Sequence, residues 1–275
     1  MKKQIVFSLA AALALPSISR AEVKPNALFS NNAVLQQNVK VPVWGTADSN
    51  ENVTVEFAGQ KKTTAADAQG NWRVTLDPMP ASAAARDLTI SGNLKSQNSN
   101  VKCAGVLVGE VWVCSGQSNM AFGFDGCASA ATEKPLANYP KLRRFYVNNG
   151  GAFTPQTELK KGEWVECSPA TVGGFSAVGY FFGRDIHKAM GVPVGMIHSS
   201  VGGTPAQAWT SLSGLEKDPE LHGYVDSFRK VEAESDAAAA RYPQELAAFP
   251  AKLKEWEETV GKAYNQALQE WRSET

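Results

Sequence analysis

Residues 109–120 read GEVWVCSGQSNM, and this stretch decides how the rest of the chain is expected to fold. It continues an apolar run that begins at Val106 and reaches Cys114, interrupted only by Gly109 and Glu110. That is the pattern of a central parallel strand covered on both faces. From Ser115 the residues become small and polar. Gly116 and Asn119 accept tight-turn geometry, and between them Ser118 stands where the strand ends. A serine hydroxyl is a weak nucleophile until a base takes its proton and aimed donors stabilise the oxyanion. A glycine followed by a serine is also common in ordinary loops, so the motif alone does not establish chemistry.

Downstream, Leu142, Phe145 and Val147 suggest another strand, with imperfect phase. Residues 175–190 place Val178, Phe181, Phe182, Ile186 and Met190 on one helical face. Ser176 is positioned to cap that helix, and Gly191 and Pro193 stop it. Residues 192–198 are then a further strand. Strand, helix and strand in this order imply an α/β layer with a right-handed crossover. Beyond Leu215 the pattern turns helical: Pro250 suits a first turn, and Leu253, Trp256, Val260, Tyr264, Leu268 and Trp271 recur every three or four residues. The expected partner is a helix carrying Tyr224, Phe228 and Val231, across a loop over residues 237–243.

Upstream, residues 26–102 alternate with a period of two. Val39, Val41 and Val43, then Val53, Val55 and Phe57, then Trp72, Val74 and Leu76, then Leu88 and Ile90 each mark a short strand. Turn signals separate them over residues 45–52, 59–62, 70–71 and 78–85. Short alternating strands at this spacing describe a small antiparallel sandwich, with Pro42 at an edge because it cannot donate to a ladder. Asp48, Asp67 and Asp77 read as turn residues. Asn52-Val53-Thr54 matches a glycosylation acceptor pattern too short to establish the modification. A polar linker near residues 97–102 divides this region from the α/β pattern.

At the N-terminus, Lys2 and Lys3, the apolar run of residues 5–15 and Ser19-Arg20-Ala21 form a secretory signal peptide pattern. The apolar run is too short to span a membrane, so no transmembrane segment is expected after cleavage. The full chain carries 27 basic and 27 acidic side chains; without residues 1–21 its net charge is minus three. Nothing there favours nucleic acid, which requires a basic surface, whereas a neutral or small soluble substrate fits. Cys103, Cys114, Cys127 and Cys167 have 10, 12 and 39 residues between neighbours. That spacing lacks the close pairs of a zinc site and leaves three disulfide pairings open, with Cys114 equally readable as an inert buried thiol.

Four segments, taken in order, resemble one family. They are residues 28–37 (LFSNNAVLQQ), 115–120 (SGQSNM), 175–184 (FSAVGYFFGR) and 195–209 (GMIHSSVGGTPAQAW). Together they are similar to the SGNH hydrolase superfamily, in its carbohydrate esterase branch containing the sialate O-acetylesterases. The resemblance implies a three-layer α/β/α domain, apparently incomplete at its C-terminal side, preceded by a small antiparallel β-sandwich. The corresponding division is a signal peptide over 1–21, an accessory sandwich over 22–102, the first part of the hydrolase domain over 103–212, and a helical connector or start of an insertion over 213–275. It implies Ser118 as nucleophile and an oxyanion hole from the Ser118 backbone N–H with Gly202 or Gly203. Family members take the base and its orienting acid from a distal Asp-x-x-His, and a further donor from a later asparagine. Neither motif follows Trp209 in this chain.

The remaining polar residues are weighed individually. His198, beside the glycine pair, lies inside a strand-like pattern and does not match the family base; His187 reads as structural or surface-facing and His222 as part of a polar connector. Ser199, Ser200 and Thr204 suit turn hydrogen bonds, and Arg184 with Asp185 suits a paired surface feature. Phe122 and Asp125, near Phe124, and Trp209 are possible substrate contacts, Trp209 being equally suited to closing the core end. Gly173-Gly174 is either a flexible mouth or a plain connector. The expected activity is hydrolysis of acetyl esters on sialic acid or a related glycan, with no metal or organic cofactor, by an exported periplasmic or extracellular protein. Turnover by residues 22–275 alone is expected to be very low. The alternative is a noncatalytic carbohydrate-binding fragment.

Overall fold

The computed structural model describes residues 23–93, 100–147, 152–159 and 162–274. The signal peptide pattern and residues 97–99 of the linker lie outside the described residues. The described residues form eleven strands: β1 (Lys24–Pro25), β2 (Val34–Gln36), β3 (Val41–Thr46), β4 (Asn52–Phe57), β5 (Gln60–Ala65), β6 (Asn71–Leu76), β7 (Ser82–Gly92), β8 (Asn100–Gly116), β9 (Tyr139–Tyr146), β10 (Trp164–Cys167) and β11 (Val194–Ser200). Helices α1 (Ser118–Ala121), α2 (Ala130–Glu133) and α3 (Ala177–Met190) accompany them, followed by α4 (Leu212–Leu215), α5 (His222–Trp256) and α6 (Lys262–Glu274).

Among the described residues, a three-stranded sheet in the order β1-β3-β6 precedes a larger mixed sheet in the order β10-β9-β11-β8-β7-β4-β5, with β2 beside β8. The expected architecture holds: a small antiparallel β-region leads into a mixed sheet flanked by helices. The alternating apolar residues of β3, β4 and β6 are the buried ones, including Val43, Val53, Val55 and Leu76. The strand β5 carries no such pattern, because among the described residues QKKTTA pairs only with β4, along an exposed edge. Its turn is Ala58-Gly59, with φ of 51° and 81°, the two positive values that a tight two-residue hairpin needs. The turn expected over residues 59–62 is therefore shorter, and the one over 78–85 ends at β7.

β8 passes through both regions and spans the expected 102/103 junction. Its first half pairs antiparallel with β7 and parallel with β2, and its second half pairs parallel with β11, from Glu110 to Gly116. β11 in turn pairs parallel with β9. From residue 110 onward no described strand pairs the opposite edge of β8, and Trp112 and Val113 are 42% and 67% exposed. This half is thus an open edge, whereas its composition resembles that of a strand covered on both faces. Apolar composition records what a strand is suited to touch, not whether that neighbour is there.

The helix α3 forms where expected, capped by Ser176, whose Oγ accepts from the Gly179 N–H at 3.1 Å, and ended by Gly191 at φ 68°. Its buried face matches the expected one in part: Phe181 and Ile186 pack against the core. Ala177, Gly179, Tyr180 and Gly183 face inward, while Val178, Phe182 and Met190 are exposed. The reason is close approach: a Cβ on Gly183 would lie 2.8 Å from Leu142 Cδ1 and 3.0 Å from Met196 Sδ. The small residues let the helix sit against β9 and β11, and the larger ones are turned away. Phe182 meets Trp112 edge-on, with ring centroids 5.0 Å apart.

Two compact units divide between Thr204 and Pro205. In the second, the expected pair of helices joined by a loop over 237–243 is instead the single helix α5, with Pro243 and Pro250 inside it. The run Ala237 to Ala240 is the strongest helix-forming composition available, and it carries the helix through the place where proline suggested a break. A π-helical segment, Glu257–Gly261, joins α5 to α6. Leu253, Trp256, Val260, Tyr264 and Trp271 are each at least 38% exposed.

Candidate active site

Ser118 lies at the end of β8, where Gly116 adopts φ 131°, a value open to glycine and strained for other residues. Gln117 precedes α1, and the exposed Ser118 Oγ donates to Gln117 Oε1 at 3.0 Å. The turn after β11 comes to the same place because β11 runs parallel beside β8, Ser200 opposite Gly116. The Val201 N–H donates to the Gly116 carbonyl at 3.0 Å. Gly202 is then so near that a Cβ on it would lie 3.9 Å from Ser118 Cα. Gly203 has φ 76° with open space around it, and Thr204 Oγ1 closes the turn by donating to the Val201 carbonyl at 2.7 Å. Of the two glycines, Gly202 is the one set against Ser118.

Beneath these turns, His198 is 5% exposed. Its Nε2 is 2.7 Å from Ser200 Oγ, and its ring meets Tyr146 edge-on at 5.3 Å. Its Nδ1 has no well-formed hydrogen bond. Burial, then the charge of Arg144, hold the imidazole below its ordinary pKa, with the Met120 backbone acting weakly in the opposite sense. Arg144 reaches over the rings of Tyr146 and Phe175, at 5.5 and 5.4 Å. Arg144 and Tyr146 carried no sequence signal: they belong to β9, whose apolar phase is irregular. His187 Nδ1 bonds the Val192 carbonyl at 2.6 Å and His222 Nε2 the Glu216 carbonyl at 3.1 Å. The described histidines therefore bond Ser200 and backbone carbonyls, and Ser118 bonds Gln117.

The loop beyond α1 is held by the start of α3. Phe124 N–H donates to the Phe175 carbonyl at 2.9 Å, and Ala177 N–H to the Phe122 carbonyl at 2.8 Å. Phe124 is fully buried, while Phe122 is 49% exposed and folds over Gly126. Asp125 pairs with Lys134 at 2.8 Å and occupies the space that a side chain on Gly173 would need. Gly173 and Gly174 thus form a packed connector. Trp209 ends a short turn, Ala206–Trp209, in the second unit and is 41% exposed. Arg184 is more deeply held than a surface pair: it binds Glu133 and Asp185 and lies 4.9 Å from the Phe181 ring. Burial opposes ionisation of Glu133, but hydrogen bonds from Arg184 and Tyr180 and the nearby positive charges hold its carboxyl below the usual value.

All four cysteines are free thiols. Burial pushes Cys103 and Cys114 up to about 11 and Cys167 up to about 12, so these three are inert at neutral pH. Among the described residues no group of three or more His, Cys, Asp or Glu side chains is placed to hold a metal ion.

Residues 108–255 match the model of a protein family described as carbohydrate esterase, sialic acid-specific acetylesterase. Sialate O-acetylesterase of Rattus norvegicus is 32% identical over 204 residues, covering 68% of this chain and 37% of that protein. The human protein of the same name is 31% identical over 205 residues, covering 68% and 39%. The crystal structure of a carbohydrate acetylesterase from Xanthomonas citri superposes with a TM-score of 0.66 at 34% identity, covering 70% of this chain and 43% of that one. The chain thus spans less than half the length of these relatives.

Proposed function

The chain belongs to the sialic acid-specific acetylesterase family of carbohydrate esterases, and from that membership we propose that Ser118 is the nucleophile of an SGNH-type hydrolase acting on O-acetylated sialic acid or a related acetylated glycan. The observation that carries this reading is the placing of Gly202 against Ser118 by two parallel strands. In the proposed reaction Ser118 Oγ bonds to the acetyl carbon, and its proton passes to a base. The oxyanion is met by the backbone N–H groups of Ser118 and of Gly202 or Gly203. The sugar oxygen then leaves as the alcohol, and water cleaves the acetyl-enzyme to acetate, regenerating the serine. His198 does not suit the role of base as placed, since its Nε2 is bonded to Ser200. Phe122 and Asp125 are proposed to contact the glycan.

Acetate release from O-acetylated sialosides tests the proposal. Release that disappears in Ser118→Ala supports it, and equal rates in the two proteins overturn it. A second reading, binding of an acetylated glycan without turnover, is favoured by the bond from Ser118 to Gln117 in place of a histidine. Calorimetry showing glycan binding, together with an absence of acetate release from both this chain and one extended beyond Thr275, would select that reading.

The composition of residues 1–21 supports export to the periplasm or beyond. Mature protein beginning at Glu22, directly after Ala21, is the expected product, and unprocessed Met1 in the exported fraction would contradict it. Within the proposed enzyme, residues 22–102 act as an accessory domain, residues 103–212 carry the nucleophile, and residues 213–275 form a helical connector or insertion.

A further inference from the structure

The outer face of the β1-β3-β6 sheet bears a groove of about 720 Å³, within the range of small-ligand sites. Strand alternation builds its floor. Trp44 on β3 stands directly opposite Arg73 on β6, and Thr46 opposite Asn71. The segment over residues 152–159 forms the other wall, where Asn26 Nδ2 donates to the Thr157 carbonyl at 3.1 Å. None of the lining residues belongs to the Ser118 turns.

Two of the lining side chains are held in place by their neighbours. Trp44 is held edge-on by Phe29 with centroids 4.8 Å apart, and Asp67 accepts from the Gln69 and Asn71 N–H groups at 2.9 and 2.8 Å. Those backbone donors, Asn71 first, hold the Asp67 carboxyl below its ordinary value, so it is ionised at neutral pH. Arg73 has no ion-pair partner among the described residues and points from the exposed side of its strand. The lining also carries two carboxylates, Asp67 and Glu158. The balance is negative, which disfavours an anionic ligand. Carboxylates, an amide and a guanidinium beside an aromatic surface match the alternating donors and acceptors and the apolar face of an uncharged sugar ring.

We infer that this groove is a second saccharide site, selective for neutral pyranose units and separate from the Ser118 site. The inference stands whether or not Ser118 hydrolyses esters. The test uses the full chain carrying Ser118→Ala, titrated with lactose, cellobiose and xylobiose and, separately, with the methyl glycoside of N-acetylneuraminic acid. Tryptophan fluorescence and saturation-transfer NMR read the binding. At least one neutral disaccharide should bind with a Kd on the order of 1 mM, and Arg73→Ala and Trp44→Ala should each weaken it about tenfold, a loss of about 1.4 kcal/mol. Arg73 is exposed, so its variant reports on binding even if Trp44→Ala fails to fold. No binding by any neutral disaccharide, unchanged affinity in Arg73→Ala, or sialoside binding that Arg73→Ala weakens as much as it weakens the disaccharide would each overturn the inference.

Discussion

Ser118 is exposed and bonds its neighbour Gln117, so the fold does not depend on its hydroxyl. Ser118→Ala is expected to change the unfolding free energy by less than about 0.5 kcal/mol, measured by urea denaturation; a loss above about 2 kcal/mol would show that the hydroxyl holds the turn. His198 is different, because burial and Arg144 lower its pKa from the ordinary 6.5. Below that value the unfolded chain gains a proton that the folded chain resists. Stability is therefore full above about pH 6.5 and falls as the pH drops toward the folded pKa. His198→Gln should flatten that part of a stability-against-pH curve, and parallel curves for the two proteins would contradict the assignment. At this scale, the serine and the glycine pair were legible because backbone geometry restricts which residues fit such turns. Arg144 and Tyr146 were not, since only strand pairing brings them to His198.

Strands and helices show where periodicity informs and where it misleads. The alternating apolar residues located β3, β4 and β6, but β5 was hidden because an exposed edge strand buries little. The face of α3 was legible at Phe181 and Ile186 but not at Val178, Phe182 and Met190, because tight packing chose glycine over phenylalanine, and α5 was missed because an alanine run outweighed proline. Close approach also makes Gly109 irreplaceable: a Cβ there would lie 2.0 Å from the Pro193 carbonyl oxygen, and the adjacent Glu110 N–H donates to that same oxygen at 2.9 Å. Gly109→Ala is expected to cost about 2 kcal/mol or more by forcing backbone apart. A midpoint in urea unchanged from the parent protein would refute that close contact.

Across the first unit, Arg143 ties separate parts of the chain together. It is 5% exposed, donates to the carbonyls of Asn32 and Gly105 at 2.8 and 2.6 Å, and pairs with Glu166 at 2.8 Å. Arg143→Met should destabilise this unit by about 3 kcal/mol, since it leaves buried acceptors unmet; a thermal midpoint within error of the parent would contradict the tie. β8 provides the larger link, and one buried cluster contains Val106, Leu107 and Val108 together with Phe145 and Trp164. The change of pattern near residue 102 was legible as a change of partner strands. The continuity of β8 through it was not, because composition records the partners of a strand and not where its hydrogen bonds stop. Residues 103–275 expressed alone are accordingly expected to lack a cooperative unfolding transition, and a sharp one would show that the sandwich strands are dispensable. The esterase reading is tested most directly by incubating the chain with p-nitrophenyl acetate, quenching in acid and mapping the peptides by mass spectrometry. An acetyl group on Ser118, absent from Ser118→Ala, is the predicted result, whereas acetylation confined to other residues would contradict the assignment of Ser118 as nucleophile.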